Sequence, residues 1–297
     1  MSRHSIIDRR ALFASGAAAA LLTATGLSAG PAPSRGGRLR MALSGGSRED
    51  RFDALKSNGL FMKVAMAGTV FDTLTEIASD GTLRGELALS WQSDVDARIW
   101  ELHLRPDVLF HDGSRFGASD VARTFALHKT QLLSDVSAID ILSAEKLRVT
   151  LLKADPDFPY RLSDPQLVIY PAGNMEAAME EGIGTGLYRT YRFDPGRQFI
   201  GERVASHYKD GSAGWFDSVE LVSLSSDAVR AEALREHYVD AADLSHTADL
   251  GELDNIRALP EGDFMTTAVD HCVALPSQIG TRWPMDNLRA AERWWKA

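Results

Sequence analysis

Between Trp100 and Gln131 the hydrophobic period of the chain switches from strand-like to helix-like across two tight turns, and this stretch constrains the fold most. Trp100, Leu102 and Leu104 alternate with Glu101 and His103, the pattern of a half-buried strand. Arg105-Pro106-Asp107 turns the chain and Val108-Leu109-Phe110 is short and extended. His111-Asp112-Gly113 then turns it again, Asp-Gly being suited to positive φ. A helix is predicted from Ala118 to Gln131, with Val121 and Phe125 four apart on one face. Ser119 and Asp120 sit in its first turn, at the positive end of the helix dipole. A chain that joins a half-buried strand to an amphipathic helix so abruptly belongs to neither the all-α nor the all-β class.

The rest of the chain repeats this mixture without a strict βα period. Arg38 to Leu43 alternates and reads as a first strand, closed by Ser44-Gly45-Gly46-Ser47. Residues 51–77 read as helical, with Phe61, Val64, Ala65 and Val70 among the apolar positions, up to a turn at Asp80-Gly81. Leu147, Val149 and Leu151 predict another strand, and Leu187 to Arg203 a hairpin around Asp194-Pro195-Gly196. Val219 to Leu224 is extended, and Asp227 to His237 predicts an amphipathic helix with Val229, Ala233 and Leu234 inward. The fold class expected is mixed α/β (α+β), without internal repeats.

The N-terminus carries an address. Arg9-Arg10 precedes an uncharged Ala-, Leu-, Gly-, Ser- and Thr-rich stretch from Ala14 to Gly30, and Leu27-Ser28-Ala29 offers a small-residue cleavage pattern. The expected division is a twin-arginine-type signal peptide over 1–29, a Pro/Gly/Ser linker over 30–37 and one domain over 38–297. A membrane anchor would need about 20 strongly apolar residues, which this stretch does not supply. The predicted location is the periplasm. A net charge of −9 argues against nucleic acid as a partner, because phosphate binding needs clustered Lys and Arg. The one cysteine, Cys272, excludes an intramolecular disulfide and, lying in an apolar run, is expected to be buried filler.

Catalytic signatures are missing: there is no Gly-x-Ser-x-Gly, no His-Glu-x-x-His and no lysine closing the Ser44–Ser47 run as a phosphate loop. The eight histidines are scattered, and no two stand at metal-ligand spacing. His103 and His111 could meet across a turn, although solvent-facing positions suit them better. No catalytic residue, metal site or cofactor is expected, and the chain reads as a non-enzyme.

Several local signals, taken in order, resemble one family. Leu104-Arg105-Pro106-Asp107-Val108-Leu109-Phe110-His111-Asp112-Gly113-Ser114 and Ala118-Ser119-Asp120-Val121 are similar to its signature. Phe71-Asp72-Thr73-Leu74, Leu87-Ala88-Leu89-Ser90-Trp91, Gly184-Thr185-Gly186-Leu187-Tyr188, His207-Tyr208 and Val239-Asp240 match further motifs. Together they resemble solute-binding protein family 5, the dipeptide-, oligopeptide- and nickel-binding subunits of ABC importers. Gly117 stands where that family prefers a hydroxyl N-cap, Leu187 where it has proline, and His237 where glycine ends a helix.

The resemblance implies a periplasmic-binding-protein-like lobe of class C, with the second lobe largely absent beyond Trp283-Pro284-Met285-Asp286-Asn287-Leu288-Arg289. It implies passive capture of a small peptide or related small solute and delivery to ABC permease subunits in the inner membrane. The implied ligand face includes Gly45 and Gly46 after the first strand and the segment Asp270-His271-Cys272. Two alternatives stand beside it: a shortened periplasmic interaction module, and a metal- or metallophore-binding protein. Trp283, Trp294 and Trp295 would serve the module as an interface, or else pack the last helix.

Overall fold

The computed structural model describes residues 33–57, 59–78, 80–245, 255–259, 266–276 and 289–297. The signal segment expected over 1–29, His246 and the run Trp283 to Leu288 lie outside the described residues. No described helix is long and apolar enough to cross a membrane.

The first strand, β1 (Arg38–Leu43), forms where its alternation places it. After it come α1 (Leu60–Ala65), β2 (Thr75–Ile77), β3 (Leu83–Gly85), β4 (Ala88–Ser93), β5 (Ile99–Leu104) and α2 (Ala118–Leu127). Next are β6 (Val136–Ser143), β7 (Lys146–Leu151), α3 (Phe158–Arg161), α4 (Met175–Glu181), β8 (Tyr188–Asp194) and β9 (Gln198–Arg203). The last part holds β10 (Ser218–Ser223), α5 (Asp227–Arg235), β11 (Ala241–Leu244), β12 (Ile256–Ala258), β13 (Thr266–Asp270), β14 (Val273–Ala274), α6 (Ala290–Arg293) and β15 (Trp295–Lys296).

Seven strands form one sheet in the order β12-β13-β11-β1-β10-β9-β8. β1 runs parallel to both neighbours, Met41 opposite Ala241 on one side and Leu221 on the other. Its side chains divide between two cores. Leu39, Met41 and Leu43 enter the larger one with Phe52, Phe61 and Phe199, while Ala42 faces Leu234, Val239 and Leu244. A second, antiparallel sheet, β4-β5-β7-β6, turns Trp100, Leu102, Leu104, Leu147, Val149 and Leu151 onto α2, where Val121 and Phe125 meet them. The hairpin of β8 and β9 closes at Gly196, whose φ of +72° suits a residue without a Cβ.

Four expectations change. The predicted 51–77 helix shrinks to α1 and a π-turn over Met66–Val70, and Thr75–Ile77 is a strand. Local side-chain bonds compete with a helix there: Asp53 Oδ1 accepts from the Leu55 N–H at 3.1 Å, and Ser57 Oγ donates to Arg51 O at 2.6 Å. α2 stops at Leu127 rather than Gln131, and His128 leaves the helix. In α5, Val229 is 51% exposed, while Arg230 is buried in its stead. The carbonyls ending β10 and β11 need donors, and a guanidinium supplies them where valine cannot. Cys272 is exposed, not buried filler.

Trp294 and Trp295 are buried, Trp295 within the small β14–β15 pair, so neither is a free interface aromatic. His237 follows α5 with φ +58°, the left-handed conformation for which the family pattern has glycine. Its Nδ1 lies 2.7 Å from Asp270 Oδ2.

Candidate ligand-binding site

In open α/β sheets the crevice outside the carboxyl ends of parallel strands is the usual place for a ligand. Here β10, β1 and β11 deliver their carboxyl ends side by side, and the Ser44–Ser47 loop emerges between them. Gly45 has φ +82°, and a Cβ there would stand 2.9 Å from the Cα of Gly59. That clash makes the glycine a condition of the loop packing on α1, whose Phe61 N–H donates to Ser44 O at 3.0 Å. Gly46 comes equally close to Ser223, its N–H donating to Ser223 Oγ at 3.1 Å.

Arg230 locks the corner beneath the loop. Its Nε donates to Asp243 O at 2.7 Å, Nη1 to Leu224 O at 2.6 Å and Nη2 to Asp227 Oδ1 at 2.8 Å. Asp243, 1% exposed, accepts the Ser44 N–H on Oδ1 at 2.8 Å. Burial pushes the Asp243 carboxyl up, against the Ser44 bond and the Arg230 charge. Arg230 carries no local sequence signal beyond its place in a helix, so sequence reasoning passed over it.

Asp270, His271 and Cys272 lie at the opposite end of the sheet. β13 runs antiparallel to β11, which sets Asp270 beside Asp240 and near Arg40 at the start of β1. Five residues of strand separate Arg40 from Gly45, about 16 Å. Gly45 and Gly46 therefore stay together, and the Asp270–Cys272 segment does not join them. Arg40 Nη2 pairs with Asp240 Oδ1 at 2.7 Å, and the Cys272 N–H donates to Asp270 Oδ1 at 2.8 Å. Although the residue is exposed, partial desolvation of the thiol and the carboxylates of Asp240 and Asp270 push Cys272 up to about 12, so no nucleophilic thiolate forms near neutrality.

The family-like motifs converge elsewhere, on a buried ionic cluster. Lys209 Nζ donates to Asp72 Oδ1 at 2.8 Å, to Glu86 Oε1, and to Glu292 Oε2 at 3.2 Å. Arg289 Nη2 reaches Glu86 Oε2 at 3.1 Å and Thr73 Oγ1 at 3.1 Å. Burial opposes charge on Asp72, but Lys209 and His207 outweigh it and hold the carboxyl well below the usual range. Glu76, half-buried, is brought to about 2 by Arg289 and Arg293 against its partial desolvation. The Asp72, Glu86 and Glu292 oxygens lie within 4.8 Å of one another, close enough for a metal ion. The Lys209 ammonium already bonds all three.

His111 and His207 brace the Gly184–Gly186 turn above this cluster, their Nε2 atoms 2.8 Å from Gly186 O and Thr185 O. The turn passes so near the backbone that a Cβ on Gly184 would stand 2.1 Å from Val70 O. A cleft of about 720 Å³ opens beside the cluster, between Arg84, Arg105, Tyr208, Trp215, Pro276 and Trp295.

Residues 82–278 match the family model of bacterial extracellular solute-binding proteins, family 5 Middle. The chain belongs to that family. Family 5 consists of extracellular solute-binding proteins. The nickel-binding periplasmic protein of Escherichia coli is 30% identical over 105 residues, which are 33% of this chain and 20% of that relative.

Solved structures share the fold. The PBP AgaA of A. tumefaciens in complex with agropinic acid superposes with TM-score 0.68 at 24% identity, over 75% of this chain and 48% of that one. NikZ of Campylobacter jejuni with Ni(L-His) gives 0.63 at 22%, over 75% and 46%. DppA of Helicobacter pylori with the peptide STSA gives 0.65 at 21%, over 76% and 51%. The chain thus spans about half the length of these solved structures, and the mixed α/β, periplasmic-binding-protein-like fold is the one the motifs implied.

Proposed function

We propose that this chain is the solute-capturing component of an ABC-type importer for a small peptide or related solute. Export to the periplasm follows from the Arg9-Arg10 signal, and delivery to permease subunits in the inner membrane from the family. Capture is non-covalent, with no reaction catalysed. The observation that carries the reading is the family match over residues 82–278, joined to a glycine loop at the carboxyl ends of three parallel strands. Of the residues expected at the ligand, Gly45 and Gly46 are the ones placed at that corner; Asp270, His271 and Cys272 lie at the other end of the sheet.

A second reading is a lobe that works as a periplasmic interaction module. The nickel-binding relatives support a third, capture of a metal chelate. One experiment separates the three: thermal unfolding of residues 30–297 against peptides, opines, sugars and nickel chelates. A ligand at a hundredfold excess over its Kd stabilises by about 2.7 kcal/mol. At this chain length that raises Tm by roughly 5–11 °C. A shift with peptides or opines supports solute capture, and one confined to nickel chelates supports the third reading. A cooperatively melting protein that shifts with nothing refutes capture and leaves the module.

A further inference from the structure

The cleft of about 720 Å³ between Arg84, Arg105, Trp215 and Trp295 lies away from the Gly45 corner. The Gly36 N–H, two residues ahead of β1, donates to Trp215 O at 2.8 Å, which sets the cleft at the amino end of that strand. Gly45 stands beyond the carboxyl end. Clefts of roughly 300–1,000 Å³ are the size that small molecules occupy.

The charges lining it are unequally answered. Glu76 pairs with Arg289 at 3.5 Å and Arg293 at 3.4 Å, Glu86 with Lys209 and Arg289, and Glu292 with Lys209 at 3.2 Å. Each of these three lining carboxylates thus has a cation, whereas Arg84 and Arg105 have no carboxylate partner among the described residues. Arg105 is half-buried and held from behind. Its guanidinium stacks on the Tyr208 ring, Cζ 4.6 Å from the centroid, and its Nε donates to Glu86 O. Nη1 and Nη2 donate to no described residue. The other guanidiniums withdrawn from solvent behave differently: Arg203, Arg230 and Arg289 spend both Nη atoms on carboxylates, carbonyls or a hydroxyl. A planar fork fixed at its stem, with its terminal donors uncommitted, is built to receive an oxyanion through two parallel hydrogen bonds.

Flat apolar side chains supply another part of the lining, Trp215, Trp295 and Pro276. Trp215 is only half-buried, which leaves ring surface open.

We propose that this cleft is a second ligand site, for a small aromatic carboxylate, the carboxylate on the Arg105 fork and the ring against Trp215. An amine finds the lining carboxylates already paired, and a neutral sugar leaves the fork unanswered. The site goes beyond the solute-capture reading and stands whether or not the Gly45 corner takes a solute.

Titration calorimetry of the protein with benzoate and 4-hydroxyphenylacetate, set against the amides of the same acids and against acetate, tests it. The acids should bind roughly ten- to hundredfold more tightly than their amides, which cannot form the charge-assisted pair. Acetate, without a ring, should bind more weakly than benzoate. Benzoate should quench tryptophan fluorescence, and the quench should shrink in Trp215→Phe. Arg105→Lys keeps the charge but loses the fork, and should weaken benzoate binding roughly tenfold. Should that variant fail to fold, Arg84→Gln, an exposed position, should weaken the acid and leave the amide unchanged. Equal affinity for acid and amide on the unaltered protein overturns the inference, and so does the absence of binding by either acid at millimolar concentration. Acetate binding as tightly as benzoate overturns the aromatic assignment. Benzoate binding left unchanged by both Arg105→Lys and Trp215→Phe places the ligand elsewhere and overturns the site. Solute capture is read by the unfolding panel above, so failure here leaves that reading intact.

Discussion

Replacing Lys209 by methionine removes the ammonium from the buried cluster while keeping most of the side-chain volume. The side chain is 11% exposed, and its partners Asp72, Glu86 and Glu292 are 0%, 0% and 2% exposed. Breaking a buried ion pair by deleting one partner costs about 3–5 kcal/mol, because the remaining charge stays desolvated. Arg289 continues to bond Glu86, which places the expected loss at the lower end, about 3 kcal/mol.

For a domain of this size that lowers Tm by roughly 6–12 °C. Urea unfolding of the two proteins at neutral pH, at equal m-value, measures it. The pH dependence adds a sign. In the unaltered protein Asp72 and Glu76 titrate below their unfolded values. The stability they contribute is present above about pH 4 and is lost as pH falls through the folded values, about 2 for Glu76.

Burial already holds the Glu292 carboxyl above its unfolded value; without Lys209 it rises further and Asp72 joins it, so the folded variant gains protons and relative stability as pH falls. The difference between the two proteins should therefore be widest near pH 7 and narrow toward pH 4. A difference under about 1 kcal/mol at pH 7, or one that widens on acidification, would refute the assignment of Lys209 as the counter-charge of the cluster.

Two further outcomes are expected. Gly184→Ala, whose Cβ would meet Val70 O at 2.1 Å, should cost about 1–3 kcal/mol by overpacking against backbone; Gly113→Ala, where nothing lies within 4 Å, should cost only the strain of positive φ, about 1 kcal/mol. Equal losses in urea titrations would contradict the close approach at the Gly184–Gly186 turn. Cys272, exposed yet pushed up to about 12, should react with iodoacetamide at pH 7 at least about 100-fold more slowly than a free thiol. Asp240→Asn should raise that rate, and an unchanged rate would separate the slow reaction from the carboxylate.

What was legible in the sequence is what short-range physics controls. β1, β5, β7, β10 and the β8–β9 hairpin stand where alternation and turn chemistry put them, because a period of two and an Asp-Pro-Gly turn act over a few residues. The Gly184–Gly186 turn was readable as a close backbone approach for the same reason. The family, too, was readable, since its motifs are local and ordered. Misreadings arose where tertiary bonds override a local pattern. Residues 51–57 lose their helix to bonds from Asp53 and Ser57, and α5 turns Arg230 inward to satisfy carbonyls that other strands supply.

Which of the candidate residues lie together was decided by the tertiary structure. Gly45 and Asp270 look equally suited to a ligand in the sequence, but the reversed direction of β13 sends Asp270 to the far end of the sheet. Lys209 meets Asp72 across 137 residues and Glu86 across 123, and no local pattern announces a pairing at that range. The fork of Arg105 belongs to the same class. A sequence names the guanidinium, whereas only the packed chain shows that its stem is held and that no described carboxylate answers it.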